Sequence, residues 1–316
     1  MYQPNRWYLN SGHVQTILAS IIKIEKKFQY TRERLVTSDG DFIDLDCVRN
    51  GHKRAVVIVH GLGSNSNSNN VVSLINGLSE SWDCIAVNLR GCGGEPNRKK
   101  VFYNTGQIGD IRDVIESIQN NYKSISMVGF SLGGNLLLNF LGRLGAKFPK
   151  IKCAVGISVP IDLTASSKNI EKQSNRLYLK KYLSRLKRMV LDKIRLNPEL
   201  KLENHFDKIK TIYEYDRYYT ISLNGLGYQT VDKFYAEWSS INVLTDIHIP
   251  VLMISSKDDP LLSEKDYPYD KAEQNKDLVL IITKKGGHIG FLEAEKKKLK
   301  FWYESIIIEY LEDHCQ

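Results

Sequence analysis

Seven short runs rich in β-branched and aliphatic residues recur along the chain: "FIDLDCV" (42–48), "AVVIVH" (55–60), "CIAVNLR" (84–90), "SISMVGF" (124–130), "IKCAVGIS" (151–158), "VLMISS" (251–256) and "LVLIIT" (278–283). Most lack the apolar–polar alternation of a strand with one wet face, so these strands are expected to be buried on both sides. Helix-like stretches lie between and after them, at about 69–80, 107–121, 133–146, 264–275 and 293–312. Strand alternating with helix predicts an α/β chain, with a mostly parallel central sheet covered by helices on both faces. Functional loops in such a sheet gather at the carboxyl ends of the strands.

The stretch 161–246 breaks this rhythm. "YLKKYLSRLKRMVLDKI" (178–194) sets Leu179, Leu183, Leu186, Val190 and Ile194 at helical spacing, and no clear buried strand follows until Val251. A helical cap insertion over 161–246 is expected, with 1–160 and 247–316 forming the core; 316 residues, 42% of them hydrophobic, suffice for both. The apolar cluster Ile17–Ile22 is far short of the roughly 20 residues of a spanning helix. "MYQPNRWYLN" lacks the basic-then-apolar order of a secretory leader, so a cytoplasmic location is expected. Cys47, Cys84, Cys92, Cys153 and Cys315 show no CxxC pairing, and three of them sit in apolar strand-like runs as reduced thiols do.

Charge is unevenly spread. The net charge is +8, and Lys168 to Lys210 holds 13 basic against 5 acidic residues, so the excess is confined to the insertion. The plain reading is a solvated helix face; the functional one is peripheral contact with an anionic membrane surface. Nucleic acid is not expected as a partner, because acids interrupt the aromatic stretch "TIYEYDRYYT" (211–220). Nothing in the pattern specifies an oligomeric state.

"GFSLGGN" (129–135) follows one strand-like run and opens a helix-like one. Gly129-Phe130-Ser131-Leu132-Gly133 fits G-x-S-x-G, a sharp strand-to-helix turn that presents a strained serine between glycines. The P-loop pattern G-x-x-x-x-G-K-[ST] is absent, as are G-x-G-x-x-G and H-E-x-x-H, so neither cofactor nor metal is expected. A serine hydroxyl needs a base and an orienting carboxylate. "VLMISSKDDPLL" supplies Asp258 and Asp259 at one strand end and "LVLIITKKGGHIGF" supplies His288 at the next. Asp259 is preferred as the acid because it directly precedes Pro260 at the loop bend; Asp258 is the alternative. "HGLGS" (60–64) follows a third strand, and the backbone N–H groups of Leu62 and Leu132 are the expected oxyanion donors. His60 is read as part of that loop, and "RGCGGEPN" (90–97) as shaping the rim of the site.

Taken together, "SGHVQTI" (11–17), "DGDFIDLD" (39–46), "HGLGS", "RGCGGEPNR" (90–98), "GFSLGGN", "SVPIDL" (158–163), "SNRLY" (174–178), "DDPLL" and "GGHIGF" (286–291) resemble the YheT-like branch of α/β-hydrolase-fold proteins. That branch includes fungal medium-chain fatty-acid ethyl ester synthase/esterases and animal abhydrolase-domain phospholipases. The resemblance implies an α/β-hydrolase fold, a triad at Ser131, Asp259 and His288, and a small-molecule ester or lipid as substrate, cleaved through an acyl-enzyme on Ser131. Acyl transfer to an alcohol at the same site and ligand binding without catalysis are the alternatives. Transfer is disfavoured by the lack of an H-x-x-x-x-D motif, since His288 has Glu293 at that spacing.

Overall fold

A computed structural model of the chain describes residues 2–223, 227–296 and 298–315. Eight strands form one sheet: β1 (Thr31–Val36), β2 (Phe42–Val48), β3 (Arg54–Val59), β4 (Asp83–Asn88), β5 (Ser124–Phe130), β6 (Ile151–Ile157), β7 (Val251–Ser256) and β8 (Leu278–Thr283). Their spatial order is β1-β2-β4-β3-β5-β6-β7-β8. From β4 to β8 every neighbouring pair is parallel, whereas β2 runs antiparallel to both β4 and β1. The mostly parallel α/β sheet read from the apolar runs is therefore present.

Burial explains why those runs lack alternation. Val57, Val59, Ile125 and Met127 join one core with Ile111 and Val114 of α3 (Ile108–Ile118) and Leu137 and Phe140 of α4 (Leu132–Leu144). Val56, Ile58, Val128 and Phe130 join the core on the other face, with Leu74 and Leu78 of α2 (Asn69–Leu78) and Ile307 and Leu311 of α10 (Tyr303–His314). A strand packed on both sides has no wet face to mark with polar residues.

One strand lies outside the seven expected runs, and two expected helices need correction. The stretch "TRERLV" is a strand, β1; it lies at the sheet edge, where alternate charges carry it, with Arg32 and Arg34 directly opposite Asp46 and Asp44 of β2 and ion-paired to them. The helix expected over 264–275 is reduced to a turn at Glu264–Asp266 and a short α9 (Tyr269–Gln274), with Pro268 between them. The last helix starts ten residues later than expected, because β9 (Leu292–Glu295) and β10 (Lys298–Phe301) form an antiparallel hairpin first. Glu, Lys and Ala there favour helix in isolation, but Leu292 and Phe301 are paired across the strands and both buried, and Asn5 bonds the Ala294 N–H and carbonyl like a further strand.

Between β6 and β7 the chain leaves the sheet for α5 (Leu163–Ile170), α6 (Arg176–Leu196), α7 (Ile212–Tyr215) and α8 (Val231–Trp238). Residues 224–226 of the expected insertion lie outside the described residues. Helix α6 turns Leu183, Leu186 and Val190 inward as its periodicity predicts, onto Phe102, Tyr215 and Tyr219. Lys193 is buried with them, and its ammonium donates to the Lys99 and Val101 carbonyls, tying α6 to the sheet-borne loop beneath.

Candidate active site

The strand order places a switch point at β3, whose neighbours β4 and β5 carry the chain away on opposite sides. Crevices at such points bind ligands. The loop after β3 and the turn after β5 both open there.

Ser131 is the turn between β5 and α4. Its φ of 50° and ψ of −123° lie where a residue with a side chain is strained. The flanking glycines are required by contact: a Cβ on Gly129 would stand 2.5 Å from the Gly134 Cα, and one on Gly133 would stand 2.3 Å from the His60 carbonyl oxygen. Removing both side chains lets the elbow press against the β3 loop, where Gly61 passes Ser131 closely.

The structure brings Ser131, His288 and Asp259 together although 157 residues separate the serine from the histidine. His288 Nε2 is 2.9 Å from Ser131 Oγ, and Nδ1 is 2.8 Å from Asp259 Oδ2. The other carboxylate oxygen of Asp259 accepts from the Leu261 and Leu262 N–H groups, at 2.8 and 3.2 Å, so the carboxylate is fixed before any substrate arrives. His288 and Asp259 are buried. Asp258 is placed differently, with Oδ1 accepting the Gly287 N–H at 2.9 Å. Of the two candidate acids, Asp259 is the one against the imidazole.

Leu62 and Leu132 both line the same cavity as Ser131 and His288. Leu132 is the first residue of α4, where N–H groups have no partner within the helix and the helix dipole favours negative charge. His60 is fully buried, with Nδ1 2.8 Å from the Gly61 carbonyl and Nε2 3.2 Å from the Leu89 N–H. Burial, outweighing the Gly61 bond, pulls its pKa down to about 4, so the ring stays neutral and clamps the β3 loop. Tyr103 accepts the Gly63 N–H at 2.5 Å and braces that loop from its other side.

The "RGCGGEPN" segment, expected to shape the rim, is not among the residues that line the cavity. Arg90 is buried between Asp110 and Asp39, and Asn97 bonds the Phe42 carbonyl, so this part holds structure together rather than facing the cavity. The rim is supplied just downstream, by Tyr103, Asn104 and Thr105.

Sequence reasoning missed the helix that sets the histidine. The Thr16 hydroxyl of α1 (Gly12–Ile21) accepts the His288 N–H at 2.8 Å and donates to the Gly12 carbonyl at 2.7 Å. Gly12 and Gly287 are pressed so close that a Cβ on either would collide with backbone, that of Asp258 in one case and of Gly12 in the other. Gln15 is buried and holds the Leu292 N–H. The available signal was Ser11 as an N-cap ahead of Val14, Ile17, Leu18 and Ile21.

The cavity above Ser131 encloses about 860 Å³ of atom-free space, its mouth included. Leu132, Leu163, Ile170, Leu186, Phe234 and Leu261 give it apolar walls. Asp216 stands in the wall, with Thr220 and Tyr235 hydroxyls donating to its two oxygens at 2.6 and 2.5 Å. Burial outweighs those bonds and raises its pKa to about 6.

Residues 54–295 match the family model described as "alpha/beta hydrolase fold". The chain is 32% identical to human Phospholipase ABHD3 over 93% of its own length and 74% of that protein's. It is 31% identical to YheT of Escherichia coli (strain K12), a protein named as an esterase, over 99% of this chain and 93% of that one. Among solved structures, the Pyrococcus furiosus esterase Pf2001 superposes with a TM-score of 0.62 at 16% identity, covering 100% of this chain and 98% of that one, which is a likeness of fold. By its family match, its relatives and its sheet, the chain belongs to the alpha/beta hydrolase fold family, on the YheT-like branch to which its motifs pointed.

Proposed function

We propose that this protein is a serine hydrolase that cleaves carboxylic esters of apolar acyl chains, with Ser131 as nucleophile, His288 as general base and acid, and Asp259 as the orienting carboxylate. The observation that carries the reading is the unbroken hydrogen-bond chain from Asp259 through His288 to Ser131, at 2.8 and 2.9 Å, opening into an apolar cavity. The relatives named phospholipase, esterase and, in Saccharomyces cerevisiae, monoacylglycerol lipase all act on esters by name and support it.

Ser131 Oγ attacks the ester carbonyl carbon while His288 Nε2 takes its proton. Asp259 keeps the Nδ1 proton on its own side, which leaves Nε2 free to accept. The tetrahedral oxyanion is held by the Leu62 and Leu132 N–H groups and by the positive end of α4. His288 then returns the proton to the departing alcohol, and a water activated by the same imidazole releases the acid. Residues 161–246 act as a cap: Leu163, Ile170, Leu186 and Phe234 roof the acyl site and exclude water around the developing charge. In this proposal the protein works in the cytoplasm, in contact with a lipid surface.

Hydrolysis of p-nitrophenyl esters from acetyl to dodecanoyl, by the wild type and by Ser131→Ala, tests this. The variant is expected to lose roughly 10³-fold or more of kcat. Equal turnover by both proteins, or none by the wild type across the series, removes the esterase reading.

A further inference from the structure

Helices α1 and α6 each have an inner face committed to the site and an outer face on which, among the described residues, large apolar side chains stand exposed. Inward, α1 presents Thr16 to His288, and α6 presents Tyr182 and Leu186 to the cavity. The two helices meet where His13 stacks on Tyr178 and the Lys181 ammonium reaches the Ser20 hydroxyl. Outward, between and beside those contacts, stand Ile17, Ile21 and Leu177, which are 45%, 64% and 76% exposed. Apolar side chains of this size are ordinarily scattered singly on a surface; three on two touching helices form a ridge. Trp7, 84% exposed, lies in the turn leading into α1.

Charge distinguishes what this ridge fits. Arg176 to Leu191 contains six cations and no acid, and Asp192, the next residue, lies 3.8 Å from Arg188. Only Lys187 among them is turned inward, onto the Phe206 and Ile209 carbonyls, while Arg176, Lys180, Lys181, Arg185 and Arg188 are exposed. Lys23, Lys26 and Lys27 follow α1 and are exposed as well. Leu177, Lys181, Ser184, Arg188 and Leu191 fall on one outward stripe of α6, so two cations stand between two aliphatic side chains along one line. A soluble polyanion needs only the cations, and an apolar protein partner only the aliphatics. A bilayer surface with anionic head groups takes both: apolar tips enter the head-group boundary and cations meet the lipid phosphates.

We propose that the outer faces of α1 and α6 form an interfacial docking ridge that seats the enzyme on an anionic lipid bilayer, beside the helices that build its acyl cavity. The proposal deepens the esterase reading and rests on it for its purpose, since a substrate with a long acyl chain is then met where it is dissolved. Docking itself does not depend on turnover.

The experiment is co-sedimentation of the intact protein with vesicles of phosphatidylcholine alone or with 30 mol% phosphatidylglycerol (about a third anionic, enough for a sizeable surface potential), at low and high salt. Wild type, Ile21→Glu/Leu177→Glu and Lys23→Glu/Lys180→Glu are compared, with p-nitrophenyl butyrate hydrolysis measured on every sample. Expected is binding to anionic vesicles that falls about five-fold for each cation removed, falls ten-fold or more in the aliphatic variant, and weakens with salt, while hydrolysis of the soluble ester is unchanged. Equal binding to neutral and anionic vesicles, or no binding, overturns the ridge. Binding that ignores the aliphatic variant, or that duplex DNA competes away, also overturns it and leaves a simple polyanion site. Absent hydrolysis of p-nitrophenyl butyrate by the wild type is a separate failure, that of the esterase reading.

Discussion

Asp258 and Asp259 are adjacent in sequence and opposite in placement: one carboxylate takes the Gly287 N–H, the other faces the His288 ring. Asp259→Asn is expected to lower kcat by about 10⁴, because the amide no longer stabilises the imidazolium and misdirects the tautomer. Asp258→Asn keeps an oxygen for Gly287 and should stay within about ten-fold of wild type. Steady-state kinetics on one soluble p-nitrophenyl ester, with circular dichroism to confirm folding, compares the two. The serine, histidine and acid were legible because each ends a strand-like run and the G-x-S-x-G spacing demands a partner base. Among the residues themselves, the choice between the two aspartates rested on Pro260, with the family resemblance pointing the same way. What settles the placement is that Leu261 and Leu262 turn their N–H groups back onto Asp259, a loop geometry that residue types alone do not encode.

At the scale of elements, the sheet was readable and its accessories were not. Two-sided burial writes itself into a run such as "AVVIV", whereas β1 is held by Arg–Asp pairs across strands and carries no apolar pattern. The β9–β10 hairpin defied helix propensity because packing of Leu292 and Phe301 decides it. The α1 stretch was noted as a resemblance motif and as too short to span a bilayer, not as a helix, and among the described residues no helix is long and apolar enough to span one. Its role is to position His288. Thr16→Val removes the acceptor for the His288 N–H while keeping the side-chain shape. kcat is expected to fall roughly ten-fold with KM little changed, since about 1 to 2 kcal/mol of positioning is lost at a site remote from the acyl chain. Thr16→Ser should restore most of it. An equal loss in both variants, or a change confined to KM, contradicts the assignment.

For the molecule as a whole, buried carboxylates set the response to pH. Asp216 and Asp266 both have pKa values raised to about 6, burial being the leading cause in each. Both stay protonated in the folded chain at a pH where the unfolded chain has already ionised them. Between pH 4 and 6 these two groups bind fewer protons in the unfolded state, so their contribution to stability falls as pH rises through that window and levels off above it, while His60, neutral in the fold down to about pH 4, contributes in the opposite direction. The Asp216 share is at most about 3 kcal/mol. Thermal melts of wild type and Asp216→Asn across pH 4 to 8 should show a shallower decline in the variant. A parallel decline in both would mean that the carboxyl is not desolvated.

The clamp of α1 upon the histidine loop also has a meaning in time. Gly12, Gln15 and Thr16 grip Asp258, His288 and Leu292, groups roughly 250 to 280 residues further along. On a ribosome, which extends the chain at about 5–20 residues per second, the first of these partners waits many seconds for the second. The elbow at Ser131 can form early, from β5 and α4, but His288 cannot be seated until the chain has been extended past Leu292. The proposed triad is thus assembled late in translation, and a chain that stalls before His288 carries Ser131 without its histidine.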